Sequence, residues 1–394
     1  MMKEKVQQLA HTIFEEVVAY RHHLHANPEL SFQEFETSQF VKEKLTAWGI
    51  PFTEMAKTGV VGLIKGTKPS DQVIALRADM DALPIHETND KPYKSKVDGV
   101  MHACGHDVHT SSLLGTAYIL NQLKEEFGGT VKLIFQPAEE LLPGGASIMI
   151  KEGVLENPKP QGIMGQHVMP FIETGKVGFR SGIYMASTDE LYVTVTGKGG
   201  HGAQPHLNID PVLITSHLIV ALQQIVSRRS DPRLPSVLSF GKITANGATN
   251  IIPNEVKLEG TFRTLNEEWR KEAHQIMKKM AEGIAESMGA HCDFDIHKGY
   301  PFLINEEKLT NNAKVFAQDY LGKDNVVDLD IWMAAEDFAF YSQETNACFY
   351  RLGTGNAQKN TLNSVHTPNF DIDEDAFKIS TGLMAYMALK QMGN

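Results

Sequence analysis

Three short apolar runs restrict this chain more than any other feature. QVIALRA at 72–78, TVKLIFQ at 130–136 and QGIMGQH at 161–167 are apolar without clear alternation. A strand wetted on one face alternates polar and apolar residues, whereas a strand covered on both faces does not. Between the first two runs, VHTSSLLGTAYILNQLKEEF predicts a helix over 108–127. Strand, helix, strand in that order requires a crossover, and so a mostly parallel sheet covered by helices. Residues 3–24 and SFQEFETSQFVKEKLTAWG add two amphipathic helices, the second stopped by Gly49 and Pro51. Near the end, ACFYRLG reads as another buried strand and DEDAFKISTGLMAYMALKQM as a closing helix.

A different rhythm fills about 186–297. ELYVTVTG alternates, DPVLITSHLIVALQQIVSRR is a helix with Pro211 in its first turn, and SVLSFGKITA and NEVKLEGTFRT are strands around a Gly- and Asn-rich turn. EEWRKEAHQIMKKMAEGIAESMG is a second helix, and HCDFDIHKG a last alternating strand. The order β-α-β-β-α-β is the ferredoxin-like pattern. The expected architecture is an α/β domain of residues 1–183 and 296–394, its sheet mostly parallel with flanking helices, interrupted by an inserted α+β ferredoxin-like domain of residues 184–295.

Charge narrows the partners. The 48 acidic and 37 basic residues give a net charge of -11, and the densest basic run, SRRSDPR, is short and mixed. A nucleic-acid surface needs basic clusters, so none is expected. No window reaches the eighteen or so apolar residues that span a bilayer, and charges break up the N-terminal stretch, so neither a membrane span nor a secretory leader is expected. Three distant cysteines, Cys104, Cys292 and Cys348, do not form a disulfide framework and suit a reducing, cytoplasmic setting.

Chemistry-bearing residues follow the buried runs. Asp79 and Asp81 come after VIALRA, Glu139 and Glu140 after VKLIFQPA, and His167 ends GIMGQH. Sites in open α/β sheets gather at the carboxyl ends of strands, so these segments and MHACGHDVHT at 101–110 converge on one pocket. In MHACGHDVHT a turn at Gly105 lets Cys104 and His106 point to the same side. Thiolate, imidazole and carboxylate together suit Zn²⁺, or Mn²⁺, Co²⁺ or Ni²⁺. A redox role for Cys104 needs a resolving cysteine, and none is near. A plain helix start explains Asp107 as a cap and leaves Cys104 and His106 unexplained. Adjacent side chains point apart, so one glutamate of FQPAEE can bind metal while the other faces substrate.

The stretches LRADMDALPI, MHACGHDVHT, FQPAEE, GQHV, GKGGHGAQPH, NIIPNEVKLEGTFRT and SVHTPNFDID resemble, in order and across essentially the whole chain, the metal-dependent amidohydrolases that include aminoacylases, hippurate hydrolases and plant auxin–amino-acid conjugate hydrolases. RHHLHANPELSFQE at 21–34 resembles that family's N-terminal stretch. The resemblance implies a dinuclear-metal catalytic domain with an inserted lid and dimerisation domain. It implies two divalent ions (Zn, Mn, Co or Ni) held by Cys104, His106, Glu140, His167 and His366, with Glu139 as general base and acid. His366 rests mainly on the resemblance. His201 would reach from a second subunit to stabilise the oxyanion, and Asn250 and Arg263 would bind the substrate carboxylate. Asp81 and Asp107 are expected behind ligating histidines, while His22, His23, His25, His102 and His109 are expected to be structural. Where the wider clan has its first metal histidine, this chain has Asp79.

The expected activity is hydrolysis of an N-acyl amino acid to a carboxylic acid and a free amino acid by a cytoplasmic homodimer. The rivals are N-acetyl-diaminopimelate deacetylase, small-peptide carboxypeptidase or aminobenzoyl-glutamate hydrolase activity at the same site, a catalytically inactive metal-binding scaffold, and a hydrolase using Cys104 as nucleophile.

Overall fold

The structure, a computed structural model, describes residues 2–394. The chain forms two compact units. One comprises the residues up to Tyr184, Ile304–Ile331 and Asp337–Asn394; the other comprises Met185–Leu303 and Trp332–Glu336.

The first unit opens with α1 (Met2–Ala26) and α2 (Phe35–Ala47), then β1 (Phe52–Met55), β2 (Gly59–Lys65) and β3 (Lys68–Asp79). Helix α3 (His106–Gln122) leads to β4 (Gly128–Gln136), and α4 (Gly145–Lys151) to β5 (Gly162–Glu173). Short strands β6 (Val177–Phe179) and β7 (Gly182–Met185) follow. The second unit contains β8 (Asp189–Thr196), β9 (Gly200–His201), α5 (Pro211–Leu222), β10 (Ser236–Thr244), β11 (Ile251–Ile252), β12 (Glu255–Thr264), α6 (Glu267–Ser287) and β13 (His291–Lys298). After β14 (Leu303–Asn305), the first unit is completed by α7 (Glu307–Leu321), β15 (Val326–Asp328), α8 (Ala339–Glu344), β16 (Ala347–Gly355) and α9 (Phe377–Gln391).

The first unit's sheet has the order β1-β2-β4-β3-β5-β16-β6-β15. Its centre is parallel: β4 with β3, β3 with β5, and β5 with β16. The β1–β2 and β2–β4 pairs are antiparallel. Every residue of β16 is buried, as a strand covered on both faces requires. Helices α1, α3 and α9 pack against one another. Helix α3 runs from His106 to Gln122, starting two residues and ending five residues before the 108–127 pattern implies. Its start is set by backbone rather than by a side-chain cap: Gly105 has φ +84°, and a Cβ there would come within 2.6 Å of Val168 Cγ2.

The second unit is β-α-β-β-α-β around an antiparallel sheet of order β10-β12-β8-β13. Leu191, Val193 and Val195 of β8 enter one core with Leu218 and Leu222 of α5 and Met277 of α6. Asp210 caps α5 by accepting from the Val212 and Leu213 N–H groups, and Pro211 needs no such partner. The helix expected to run to Arg229 stops at Leu222 and is followed by a wider turn over Ile225–Arg229. The boundary expected between 295 and 296 would cut β13, which pairs with β8 as far as Lys298↔Asp189. Among the described residues no helix is long and apolar enough to cross a membrane.

A buried ion cluster ties β8 to α6. Asp189 accepts from Arg270 Nε at 3.0 Å, Arg270 Nη2 at 2.6 Å and His274 Nε2 at 2.6 Å. Burial works against the Asp189 carboxylate, but His274 and Arg270 hold it below the usual range. The cluster therefore stabilises the fold fully above the unfolded-state pKa, about 3.9, and loses that contribution as pH falls through the depressed folded value. Asp189→Ala, which leaves Arg270 short of a buried counter-ion, is expected to cost about 3 kcal/mol at neutral pH. Thermal melts of parent and variant across pH should show the gap closing in acid; a pH-independent gap would contradict this account.

Candidate metal centre

Asp79 is the last residue of β3 and pairs in register with Gln136, the last of β4. His167 lies in β5, opposite Arg351 of β16. Parallel strands thus deliver these side chains to the carboxyl ends of the central strands, with Cys104 and His106 arriving at the start of α3. His366 comes from a loop 262 residues after Cys104, held by a bond from its own N–H to Ala103 O at 2.7 Å. Its φ of +62° is a left-handed backbone that a residue other than glycine rarely adopts.

The five expected ligands come together. Cys104 Sγ lies 3.3 Å from His167 Nε2 and 3.3 Å from His366 Nε2. Glu140 Oε1 lies 3.1 Å from His366 Nε2 and 4.0 Å from His106 Nε2. The ligand atoms of Cys104, His106 and His167 are all within 4.8 Å of one another, as are those of Cys104, Glu140 and His366. His106 Nε2 is buried and has no hydrogen-bond partner among the described residues, and Glu140 Oε1, equally shut off from water, has only other candidate ligands beside it. Such orphaned buried atoms are uncommon and need a partner.

The ring tautomers suit a cation. His106 Nδ1 donates towards Asp81 O at 2.9 Å and Oδ1 at 3.2 Å, and His167 Nδ1 donates to Val168 O at 2.8 Å. With Nδ1 so engaged, each ring turns Nε2 to the cluster, the nitrogen at which a bound cation would take the place of a proton. Burial, with the charges of Glu140, Glu139 and Asp79, pushes the Cys104 thiol well up. Burial opposes protonation of His106, but Asp79, Asp81 and Glu140 push it up to about 10. Both shifts report one excess of buried negative charge. A divalent cation neutralises that charge and takes the deprotonated ligands. The donor set fits such an ion.

Asp81 organises the glutamate pair. Its Oδ1 accepts from Glu139 N–H and its Oδ2 from Glu140 N–H, each at 3.0 Å, and Ser31 Oγ donates to Oδ2 at 2.6 Å. Both glutamates reach the same cluster: one ligand atom each from His106, Glu139 and Glu140 lies within a mutual 4.8 Å. Glu139 Oε1 accepts from Asp337 N–H at 3.3 Å. Asp337 in turn accepts from Arg77 Nη2 at 2.7 Å and Gln136 Nε2 at 2.8 Å, and Arg77 also pairs with Asp79. His109 Nδ1 donates to Asp79 Oδ1 at 2.5 Å and its Nε2 accepts from Val168 N–H at 3.0 Å. With both ring nitrogens engaged, His109 braces Asp79 and the chain beside His167.

Asp107 does not stand behind a ligand imidazole. Its Oδ2 accepts from Arg21 Nε at 3.0 Å and His25 Nδ1 at 2.8 Å. Consecutive residues of a helical turn point about 100° apart, so with His106 facing the cluster Asp107 turns to α1. In the second unit, β9 and β11 pair His201 with Ile251, and Gly202 N–H donates to Asn250 O at 2.9 Å, so His201 and Asn250 are neighbours. His201 is exposed, and its Nδ1 accepts from Ala203 N–H at 3.0 Å, which places the ring proton on Nε2. Half-buried Arg263 donates from Nη1 to Met333 O at 3.0 Å and pairs with no carboxylate among the described residues. Burial lowers its pKa. Arg77, Gln136, Asp337 and Ser31 escape a reading of motifs. The one signal was an arginine inside the apolar run VIALRA, since a buried guanidinium requires carboxylates.

Residues 75–390 match the peptidase family M20/M25/M40. The chain belongs to that family. As an M20 member it is a hydrolase. It is 44% identical over 309 residues, 78% of this chain and 83% of the other, to an N-acyl-L-amino acid amidohydrolase of Geobacillus stearothermophilus. It is 38% identical over 391 residues, 98% of each chain, to thermostable carboxypeptidase 2 of Saccharolobus solfataricus. The solved structure of the Bacillus subtilis YXEP protein, described as a dinuclear metal binding peptidase of the M20 family, superposes with a TM-score of 0.83 at 35% identity, covering 97% of this chain and 99% of that one.

Asp81→Asn tests the organisation of this M20 site. The new amide group faces a donor, Glu140 N–H or Glu139 N–H, whichever way it is turned. Chelator competition is expected to show metal binding weakened about 10–100-fold with the fold retained. Unchanged affinity would remove Asp81 from the account.

Proposed function

We propose that this M20 hydrolase cleaves the amide bond of N-acyl amino acids, using two divalent cations held by Cys104, His106, Glu140, His167 and His366. One observation carries the reading: five metal-type ligands converge beside a sixth group, Glu139, that a mononuclear structural site would not need. The name of the Geobacillus relative supports the substrate class. Bound there, the cations would polarise the amide carbonyl and lower the pKa of a water.

The chain's own groups supply the rest. Glu139, held at its N–H by Asp81 and at Oε1 by Asp337 N–H, takes the proton of the attacking water and delivers it to the departing nitrogen. His201 from a second subunit donates Nε2–H to the oxyanion of the tetrahedral intermediate. Arg263, desolvated and without a carboxylate partner among the described residues, takes the substrate carboxylate with Asn250. Glu139→Ala is expected to keep its metal and lose about 10²–10⁴-fold in turnover. A panel of N-acetyl, N-benzoyl and indole-acyl amino acids, run beside dipeptides on metal-analysed protein, measures this and separates acyl-amino-acid hydrolysis from the carboxypeptidase activity named for the Saccharolobus relative. Near-parent rates in the variant would remove Glu139 as the base.

The surface of the second unit supports the homodimer reading. Helix α5 is apolar on its outer side as well as its inner one, with Leu213 53% and Val220 74% exposed, and edge strand β10 exposes Ile243. Water-exposed apolar groups of that kind call for a covering partner. Sedimentation should give a dimer, and Val220→Glu should shift it towards monomer with loss of activity; a fully active monomer would contradict catalysis by His201 in trans.

A further inference from the structure

We infer that Glu34 is a positioning residue that sets the backbone kink from which Glu139 and Glu140 reach the metal cluster. This rests on the roles proposed above for those two glutamates. Glu34 lies in RHHLHANPELSFQE and is fully buried. Its Oε1 accepts from Phe32 N–H at 2.9 Å and Ala138 N–H at 2.8 Å, and its Oε2 accepts from Thr58 Oγ1 at 2.7 Å. Phe32 and Ala138, the two residues held by that one oxygen, have φ of +62° and +50°. Side-chain-bearing residues keep such backbone only where their surroundings impose it.

The kink at Ala138 comes two residues after β4 ends. In extended chain, Glu139 and Glu140 would point to opposite sides. Here both carboxylates reach His106. Ala138 O accepts from Gly145 N–H at 2.8 Å, and a Cβ on Gly145 would fall 1.8 Å from Pro137 O, so the loop closes tightly behind the kink. Three consecutive N–H groups, of Ala138, Glu139 and Glu140, are thus taken by two buried carboxylates, Glu34 and Asp81. Asp81 holds the glutamates; Glu34 holds the turn that aims them.

The test compares Glu34→Ala, Glu34→Gln and Thr58→Val in the full-length protein. Mn²⁺ titration of metal-free protein gives affinity, and kcat and KM are read at saturating Mn²⁺ on a cleaved substrate. The glutamine keeps an acceptor for Ala138 N–H, and its NH2 can donate to Thr58. Thr58→Val removes only the Oε2 partner. Glu34→Ala should weaken Mn²⁺ binding about 10–100-fold and lower kcat about tenfold or more with KM little changed, while Glu34→Gln and Thr58→Val stay near the parent. If Glu34→Ala does not fold, Glu34→Asp, shorter by one methylene, carries the same expectation. Parent-like affinity and kcat in the alanine or aspartate variant, or equal losses in the glutamine variant, overturn the inference. A Glu139→Gln arm keeps the two ideas apart: high turnover there removes the base, whereas the Mn²⁺ affinities still decide Glu34.

Discussion

His106 Nε2 and Glu140 Oε1 lie 4.0 Å apart, both atoms shut off from water, and His106 Nε2 has no hydrogen-bond partner among the described residues. Asp79 Oδ2 is 3.8 Å from the same nitrogen. Carboxylates gathered in a medium of low polarity repel one another and have lost their water, and the same crowding pushes the His106 pKa up to about 10. The fold does not relax this by hydrogen-bonding them to one another. It commits other groups to keeping the arrangement: Asp81 fixes the His106 ring, His109 fixes Asp79, and Arg77 pairs with Asp79 and Asp337. A divalent cation resolves the conflict, which is why the supporting contacts are arranged around an excess of negative charge.

The parts of this arrangement that depend on parallel strands were legible in the sequence. Continuous apolar runs marked β3, β4 and β5, and polar residues at their ends marked the pocket, because burial on both faces and the open strand termini each leave a local pattern. Strand β2 left a weaker one. Gly59 and Gly62 dilute its pattern, yet a Cβ on Gly62 would sit 3.3 Å from Leu45 Cδ1 and 3.5 Å from Leu133 Cδ1, so close packing favours the small residue. The start of α3 was misplaced because Gly105 opens it through backbone conformation, which no polar cap announces.

Long-range partners left no local trace. Asp81 and Asp107 look alike as carboxylates near histidines, but a helical turn sends Asp107 to Arg21 and His25 while Asp81 meets His106. His366 depends on one backbone bond to Ala103, so only the resemblance of its surrounding stretch pointed to it. Glu34 stands 104 residues from Ala138. No periodicity connects them; the left-handed backbone of Ala138 is visible only once the chain is folded.

The account stands on a mixed sulfur, nitrogen and oxygen environment for the bound cation. X-ray absorption at the zinc edge of zinc-loaded protein measures it directly. The geometry predicts a sulfur scatterer at about 2.3 Å together with imidazole nitrogen and carboxylate oxygen at about 2.0–2.2 Å. A shell of oxygen alone, without sulfur or imidazole, would place the metal elsewhere and contradict it.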